Sequence, residues 1–329
     1  MTLEVDGQET APKGGKSSPW RGWLLTIGVA LLAILLATHG AGAVREILVE
    51  VGWQAILVIA AHLPVTLLAT IGWQVLLPPD RRPGLPFLFR LRMIKEAVNA
   101  LLPVAQVGGD VVRAQLAVRN GLTVAESTAA AVVDVLAGTV GLVLFVLASL
   151  VVAMLVLHDP RLAQAGVALI AIVLAIALAL FLAHKGGVGR RLGQASQRWS
   201  AIAQRVGELG EAFRAIGQQR RQIFASWAWH MAAWGAGALE TYVSMWALGL
   251  APTLTQALIV EGLAQTAKVV GFAIPGALGV QEGGYLLLGG ALGLTPDQAL
   301  ALSLLRRLRE LTLGGIGLVL WRTTKKAVV

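Results

Sequence analysis

Charged residues occur in this chain where an apolar segment should exclude them. Asp134 stands about ten residues into one long hydrophobic run. Arg306 stands about ten residues into another and is followed within a turn by Arg307, Arg309 and Glu310. At about 1.5 Å per helical residue both lie roughly 15 Å along their helices, near the midplane of a bilayer about 30 Å thick. Ionised side chains at that depth are costly and are normally paired or functional. The chemistry on offer is electrostatic: guanidinium groups that hold a phosphate, and carboxylates that hold a proton or a cation. Arg306 and Glu310 share a helical face at i, i+4. We expect Asp134 and Arg306 to pair with each other across a pseudo-two-fold axis. Such a pair serves either a structural network or a phosphate-binding or gating site.

Asp134 and Arg306 are 172 residues apart (306 − 134), and this separation recurs. PVAQVGGD, from Pro103 to Asp110, is matched by PGALGVQE, from Pro275 to Glu282, and GLT follows each at Gly121 to Thr123 and Gly293 to Thr295. Each copy holds a proline, glycines (Gly108 and Gly109; Gly276 and Gly279) and one carboxylate, Asp110 or Glu282. Irregular backbone at membrane depth is tolerated only where it is buried in protein or lines a wet cavity. The glycines permit tight turns, and the helix beginnings after them present free N–H groups and a partial positive charge that suit a lipid phosphate. Asp110 and Glu282 either cap those helix beginnings or act as a proton or cation site. Glu261 and Lys268, seven residues apart, share one face of the segment before the second turn and are expected to face the same cavity. Glu240 is a further intramembrane candidate.

Covalent chemistry finds no support. The histidines, His39, His62, His158, His184 and His230, form no ligand spacing, and there is no zinc-protease HExxH, phosphate-binding P-loop or nucleophile elbow. The chain has no cysteine, which excludes thiol chemistry and disulfides. We expect no metal, no cofactor and no enzyme activity.

The elements that must position these residues are membrane helices. Of the 329 residues, 56% are apolar and 14% are charged, too little polar surface for a soluble domain of this length. The net charge of +9 is not spread as a nucleic-acid surface. Nineteen of the 27 Lys and Arg residues fall in the N-terminus, 78–96, 184–222 and the C-terminal tail, the pattern of cytoplasmic segments beside anionic lipid. The reading is all-α: about six full spans plus two re-entrant helical hairpins in an inverted repeat. Residues 1–19 form a disordered cytoplasmic tail, 20–322 a single membrane domain and 323–329 a second cytoplasmic tail. The first repeat covers about 85–157 and the second about 256–321. Within the domain, spans are expected at about 20–38 (or a signal peptide there), 47–77 with a kink at Pro64, 123–157, 162–183, 223–249 and 295–321. Thr123 and Glu126 make a capping box. In the cytoplasmic segment 185–222, Trp199, Ile202, Val206, Leu209, Phe213 and Ile216 form one apolar stripe, opposite arginines. That helix packs on the protein, lies on headgroups or docks a partner. With basic segments inside, the first hairpin enters from the cytoplasm and the second from outside, the plan of many alternating-access transporters. Residues 256–292 read alternatively as two full spans.

The chain resembles the lysylphosphatidylglycerol synthase transmembrane-region, or flippase-like, family. The resemblance rests on NALLPVAQVGGDVVRA from Asn99 to Ala114, on IPGALGVQE from Ile274 to Glu282, and on Arg306 and Arg307 in the final helix. Within that family the chain is most similar to hopanoid-biosynthesis-associated membrane proteins. The second turn reads PGALG where the family usually has a further glycine after PG. The resemblance implies lipid translocation across the bacterial inner membrane, with both termini cytoplasmic. Aminoacyl transfer, which bifunctional members perform with a soluble domain, is not supported. Candidate headgroup and cavity residues are Arg306, Arg307, Arg309, Glu310, Arg113, Asn99 and Lys268. Coupling or capping carboxylates are Asp110, Glu282, Asp134 and Glu261. Hinges are expected at Pro103, Gly108, Gly109, Pro275, Gly276 and Gly279. Partners are membrane lipids and lipid-biosynthesis enzymes, with no nucleic acid. Two alternatives stay open: a non-transporting scaffold for those enzymes, and an intramembrane lipid-modifying enzyme.

Overall fold

A computed structural model describes residues 46, 49–102, 108–157, 200–270 and 279–326. The expected spans at 20–38 and 162–183, the stretch 185–199, and Pro103, Pro275 and Gly276 lie outside the described residues. Those described are helical, with turns between helices.

The kink expected at Pro64 falls at His62, between α1 (Gln54–Ala61) and α2 (Leu63–Gln74). Pro64 has no N–H to return to the Ala60 carbonyl, so the ladder is interrupted there. The His62 N–H bonds instead to Ile59 O at 3.3 Å, a tighter turn. Two hairpin arms follow, α3 (Leu85–Leu101) and α4 (Gly108–Val118), then the long α5 (Val124–Leu157). α6 (Ser200–Gln218) precedes α7 (Arg220–Ala247). The second set of arms is α8 (Leu254–Val270) and α9 (Val280–Gly289), and α10 (Pro296–Lys326) closes the described chain.

Local sequence explains these boundaries twice over. Gly121 and Gly293, the glycines of the two GLT triplets, take φ of 100° and 76°, a left-handed conformation that ends one helix before the next begins. The following threonines then start the long helices with reciprocal caps. Thr123 N donates to Glu126 Oε2 (2.8 Å) and Glu126 N to Thr123 Oγ1 (3.1 Å). Thr295 and Gln298 repeat the device at 3.0 and 3.2 Å.

The first arms are each 17 residues, and the second arms are 11 and 10. At about 1.5 Å per residue the second arms cross only about half of a bilayer. Among the described residues, two helical stretches are long and apolar enough to cross one: Gln54–Gln74, of 21 residues, and Val124–Leu157, of 34. α7 and α10 are long enough, at 28 and 31 residues, but carry Glu240 and the cluster Arg306 to Glu310 within their length.

Two apolar clusters form beside the two hairpins and draw in neighbouring helices. Trp73, Leu88, Leu91, Ile94, Leu116 and Ala129 close one cluster; Met245, Val260, Tyr285 and Leu302 close another. The long helices then cross over: α10 packs along α3, and α5 along α8. Small residues let backbones approach, as when Gly317 of α10 meets the Met93 backbone of α3. The stripe on α6 turns inward where its side chains are described, with Leu209, Phe213 and Ile216 against the first core. The reading of that helix as packed on the protein is met there.

Candidate functional site

Asp134, 1% exposed, gathers three basic groups. Arg113 Nη1 of α4 donates to its Oδ2 at 2.8 Å, Arg92 Nη1 of α3 to the same oxygen at 3.3 Å, and His230 Nε2 of α7 lies 2.8 Å from Oδ1. Arg113 is fully buried; its Nη2 reaches Asp110 (2.8 Å) and its guanidinium stacks over the Trp73 ring, 4.2 Å from the centroid. Lys95 Nζ also reaches Asp110, at 3.0 Å. Gly109 closes the hairpin: its N–H donates to Asn99 Oδ1 at 2.8 Å, and a Cβ there would fall 2.3 Å from the Lys95 carbonyl oxygen.

Arg306 occupies the corresponding place in the second repeat. Its Nη1 and Nη2 grip both oxygens of Glu261, at 2.6 and 3.1 Å, and Nη1 also donates to the Tyr285 hydroxyl at 3.2 Å. Glu261 accepts further bonds from Thr241 Oγ1 and Gln265 Nε2, both at 2.6 Å. Arg307 bonds Glu282 Oε1 (2.8 and 3.1 Å) and Glu310 Oε2 (2.8 Å). Glu310 also takes Lys268 Nζ, at 2.9 Å. Arg309 donates to Glu240, and His62 Nδ1 lies 2.7 Å from both Glu240 Oε2 and Arg309 Nη1.

Asp134 and Arg306 therefore do not pair with each other, contrary to the expectation. Each meets a nearer opposite charge on the first arm of its own hairpin: Arg92 for Asp134, Glu261 for Arg306. The sign of this arm-to-long-helix pair is reversed between the repeats. Nor does Arg306 bond Glu310 along α10; Glu310 takes Arg307, one residue on, because Arg306 turns to α8.

These groups surround a cavity of about 1500 Å³. Of the expected headgroup residues, Arg306, Arg309, Glu310, Asn99 and Lys268 line it, as do the carboxylates Asp110 and Glu261. Arg113, Arg307, Asp134 and Glu282 do not. They lie behind the wall and anchor those that do, because their side chains are drawn into buried pairs. Glu282 resolves toward capping: its Oε2 accepts from the Gly279 N–H at 2.7 Å, and Gly279 stands at the N-terminus of α9 with φ 77°. Asp110 lies in the first turn of α4 and serves Arg113 and Lys95. Gly108 begins α4. Glu240 is buried as expected.

Part of the lining is apolar and, among the described residues, exposed. Val111 of α4 and Val132, Val135 and Leu136 of α5 line the cavity while remaining 52%, 41%, 41% and 58% exposed. Val132 to Leu136 lie roughly 12–18 Å along α5 at about 1.5 Å per residue.

Sequence reasoning passed over His62, His230, Thr66, Arg92, Lys95, Glu96, Thr241, Gln265 and Tyr285 as site residues. Tyr285 and Glu96 were within reach, because they stand at the same 172-residue offset from Arg113 (285 − 113) and Lys268 (268 − 96). The others carry no such mark.

An all-helical protein whose apolar helices enclose paired charges around a cavity with exposed apolar lining is a membrane protein in class. Residues 23–317 match the family described as the lysylphosphatidylglycerol synthase TM region, and the chain belongs to that family. Membership makes it a membrane protein of lipid metabolism or transport. Comparison with curated proteins and with solved structures returned no match.

Proposed function

We propose that this protein moves a polar-headed lipid across the bacterial inner membrane, without covalent change to it. One observation carries the reading: a single cavity is lined both by charged groups and by the apolar side chains of Val111, Val132, Val135 and Leu136, which stay exposed among the described residues. An amphipathic guest fits such a space, its headgroup among the charges and its acyl tails leaving past the apolar side chains into lipid. A scaffold needs no charged cavity at membrane depth, and the described part of its candidate docking stripe is spent on the protein's own core.

The two hairpins enter from opposite faces, with both termini cytoplasmic. Support comes from the distribution of basic segments, from the crossed packing of α10 on α3 and α5 on α8, and from the sign-reversed pairs. Transport proceeds by rocking the two repeats against each other. Arg306 and Arg309 do not present free guanidinium groups to a phosphate, since Glu261 and Glu240 already hold them. Their part is to set the polar wall and to exchange partners as the repeats move.

The test is reconstitution in liposomes with acyl-labelled phospholipids and chemical quenching of the outer leaflet. Wild-type protein converts the protected inner-leaflet label into quenchable label; the double variant Arg306→Met/Glu261→Gln remains folded and does not. Liposomes whose inner label stays protected with wild-type protein would reject transport, and chemically altered lipid would favour an enzyme.

A further inference from the structure

Of the two histidines among the described residues, His62 lines the cavity and His230 does not. His62 stands at the break between α1 and α2, with its side chain 18% exposed. Its Nδ1 has two neighbours at one distance: Glu240 Oε2 of α7 and Arg309 Nη1 of α10, each at 2.7 Å. They make opposite demands. A carboxylate oxygen accepts, so Glu240 needs an N–H on Nδ1; a guanidinium only donates, so Arg309 needs the Nδ1 lone pair. A ring nitrogen carries one or the other. At the other nitrogen of the ring, Nε2 lies 3.6 Å from Glu96 Oε2 of α3.

The neighbouring charges leave that conflict in place. α1 and α2 carry no charged residue. Glu96 is also held by Thr66 Oγ1 and Arg92 Nε, and Asp134 of α5 by Arg113, Arg92 and His230. On α10, Arg306 is taken by Glu261, and Glu310 by Arg307 and Lys268. The choice at Nδ1 therefore turns on one proton. The neutral ring, with its hydrogen on Nε2 toward Glu96, accepts from Arg309. The charged ring donates to Glu240 and turns like charge toward Arg309. Arg309 Nη1 then loses that acceptor and can turn to a guest in the cavity, which it lines. An imidazole in ordinary surroundings changes charge between about pH 5 and 8.

Resting on the reading of this cavity as a lipid pathway, we propose that His62 is a proton-binding site that couples lipid movement to proton movement. Protonated at Nδ1, the ring releases Arg309 to the headgroup phosphate, so proton and lipid cross together in one direction.

Acyl-labelled phosphatidylethanolamine and phosphatidylglycerol are followed in separate liposomes by outer-leaflet quenching, at equal pH and with the lumen about one pH unit more acidic. With one proton per lipid, wild-type protein is expected to raise the ratio of quenchable to protected label by up to about tenfold for at least one lipid, a shift that a protonophore removes. Equal distributions with and without the gradient, or a ratio that falls, would overturn joint movement and leave transport standing. Movement of neither lipid would overturn both. His62→Gln cannot take the charge; it is expected to move lipid more slowly than wild type and equally with or without the gradient. A folded His62→Gln that follows the gradient, or that moves no lipid even at equal pH, would overturn the assignment to His62.

Discussion

Replacing Arg306 by methionine strips Glu261 of two N–H···O contacts at 2.6 and 3.1 Å, in a place where the carboxylate is 2% exposed. Thr241 and Gln265 remain as donors, but both are neutral, and such bonds are about half as strong as charge-assisted ones. Stranding one member of a buried pair costs about 3–5 kcal/mol. Glu261→Gln strands Arg306 in the same way, leaving it the Tyr285 hydroxyl. The double variant removes both charges while Thr241 and Gln265 still find an amide to bond, so its stability should lie within about 1 kcal/mol of wild type. The cycle is read by unfolding purified protein in detergent micelles, following helical signal and monodispersity. Two costly single variants with a nearly neutral double variant are expected. Additive losses, or single variants as stable as wild type, would show that this pair is not the closed, water-excluded contact argued above.

Three further outcomes follow from the same geometry. Leu136→Trp enlarges a side chain of the apolar lining at a 58% exposed position, so lipid movement should fall more than about tenfold while stability stays within about 0.5 kcal/mol. Unchanged movement would place the tails elsewhere. On α10, Gly317→Ala sets a Cβ 2.5 Å from the Met93 carbonyl oxygen and 2.6 Å from Ala97 Cβ, and should destabilise by about 1–3 kcal/mol. Gly315→Ala, two residues away, meets nothing within 4 Å and should be neutral or stabilise by up to about 1 kcal/mol, a contrast that thermal unfolding of the two variants checks.

The 172-residue offset made much of this arrangement legible, because a repeat copies local signals. It located the long helices through GLT and their caps, the short second arms, and the midplane charges Asp134 and Arg306. Pro64 announced the break at His62 through its missing donor. Partner choice was not legible. His62 meets Arg309 across 247 positions and Glu240 across 178, and no periodicity encodes contacts made by helices that cross. The equivalence of Asp134 and Arg306 invited pairing between them. Symmetry only requires that each be satisfied, and other partners satisfy them: Arg113 and His230 for Asp134, both at 2.8 Å, and Glu261 for Arg306, at 2.6 Å. The family match covers residues 23–317 and says nothing of which arginine holds which carboxylate.

The central claim is that a lipid headgroup occupies the space between the two hairpins while its tails leave past α5. An experimental map of the protein in lipid nanodiscs tests it most directly. The account predicts headgroup density among the charged residues that line the cavity, continuous with acyl density running out beside Val132, Val135 and Leu136. A cavity closed by packed side chains, with ordered lipid confined to the outer faces of the helices, would contradict it.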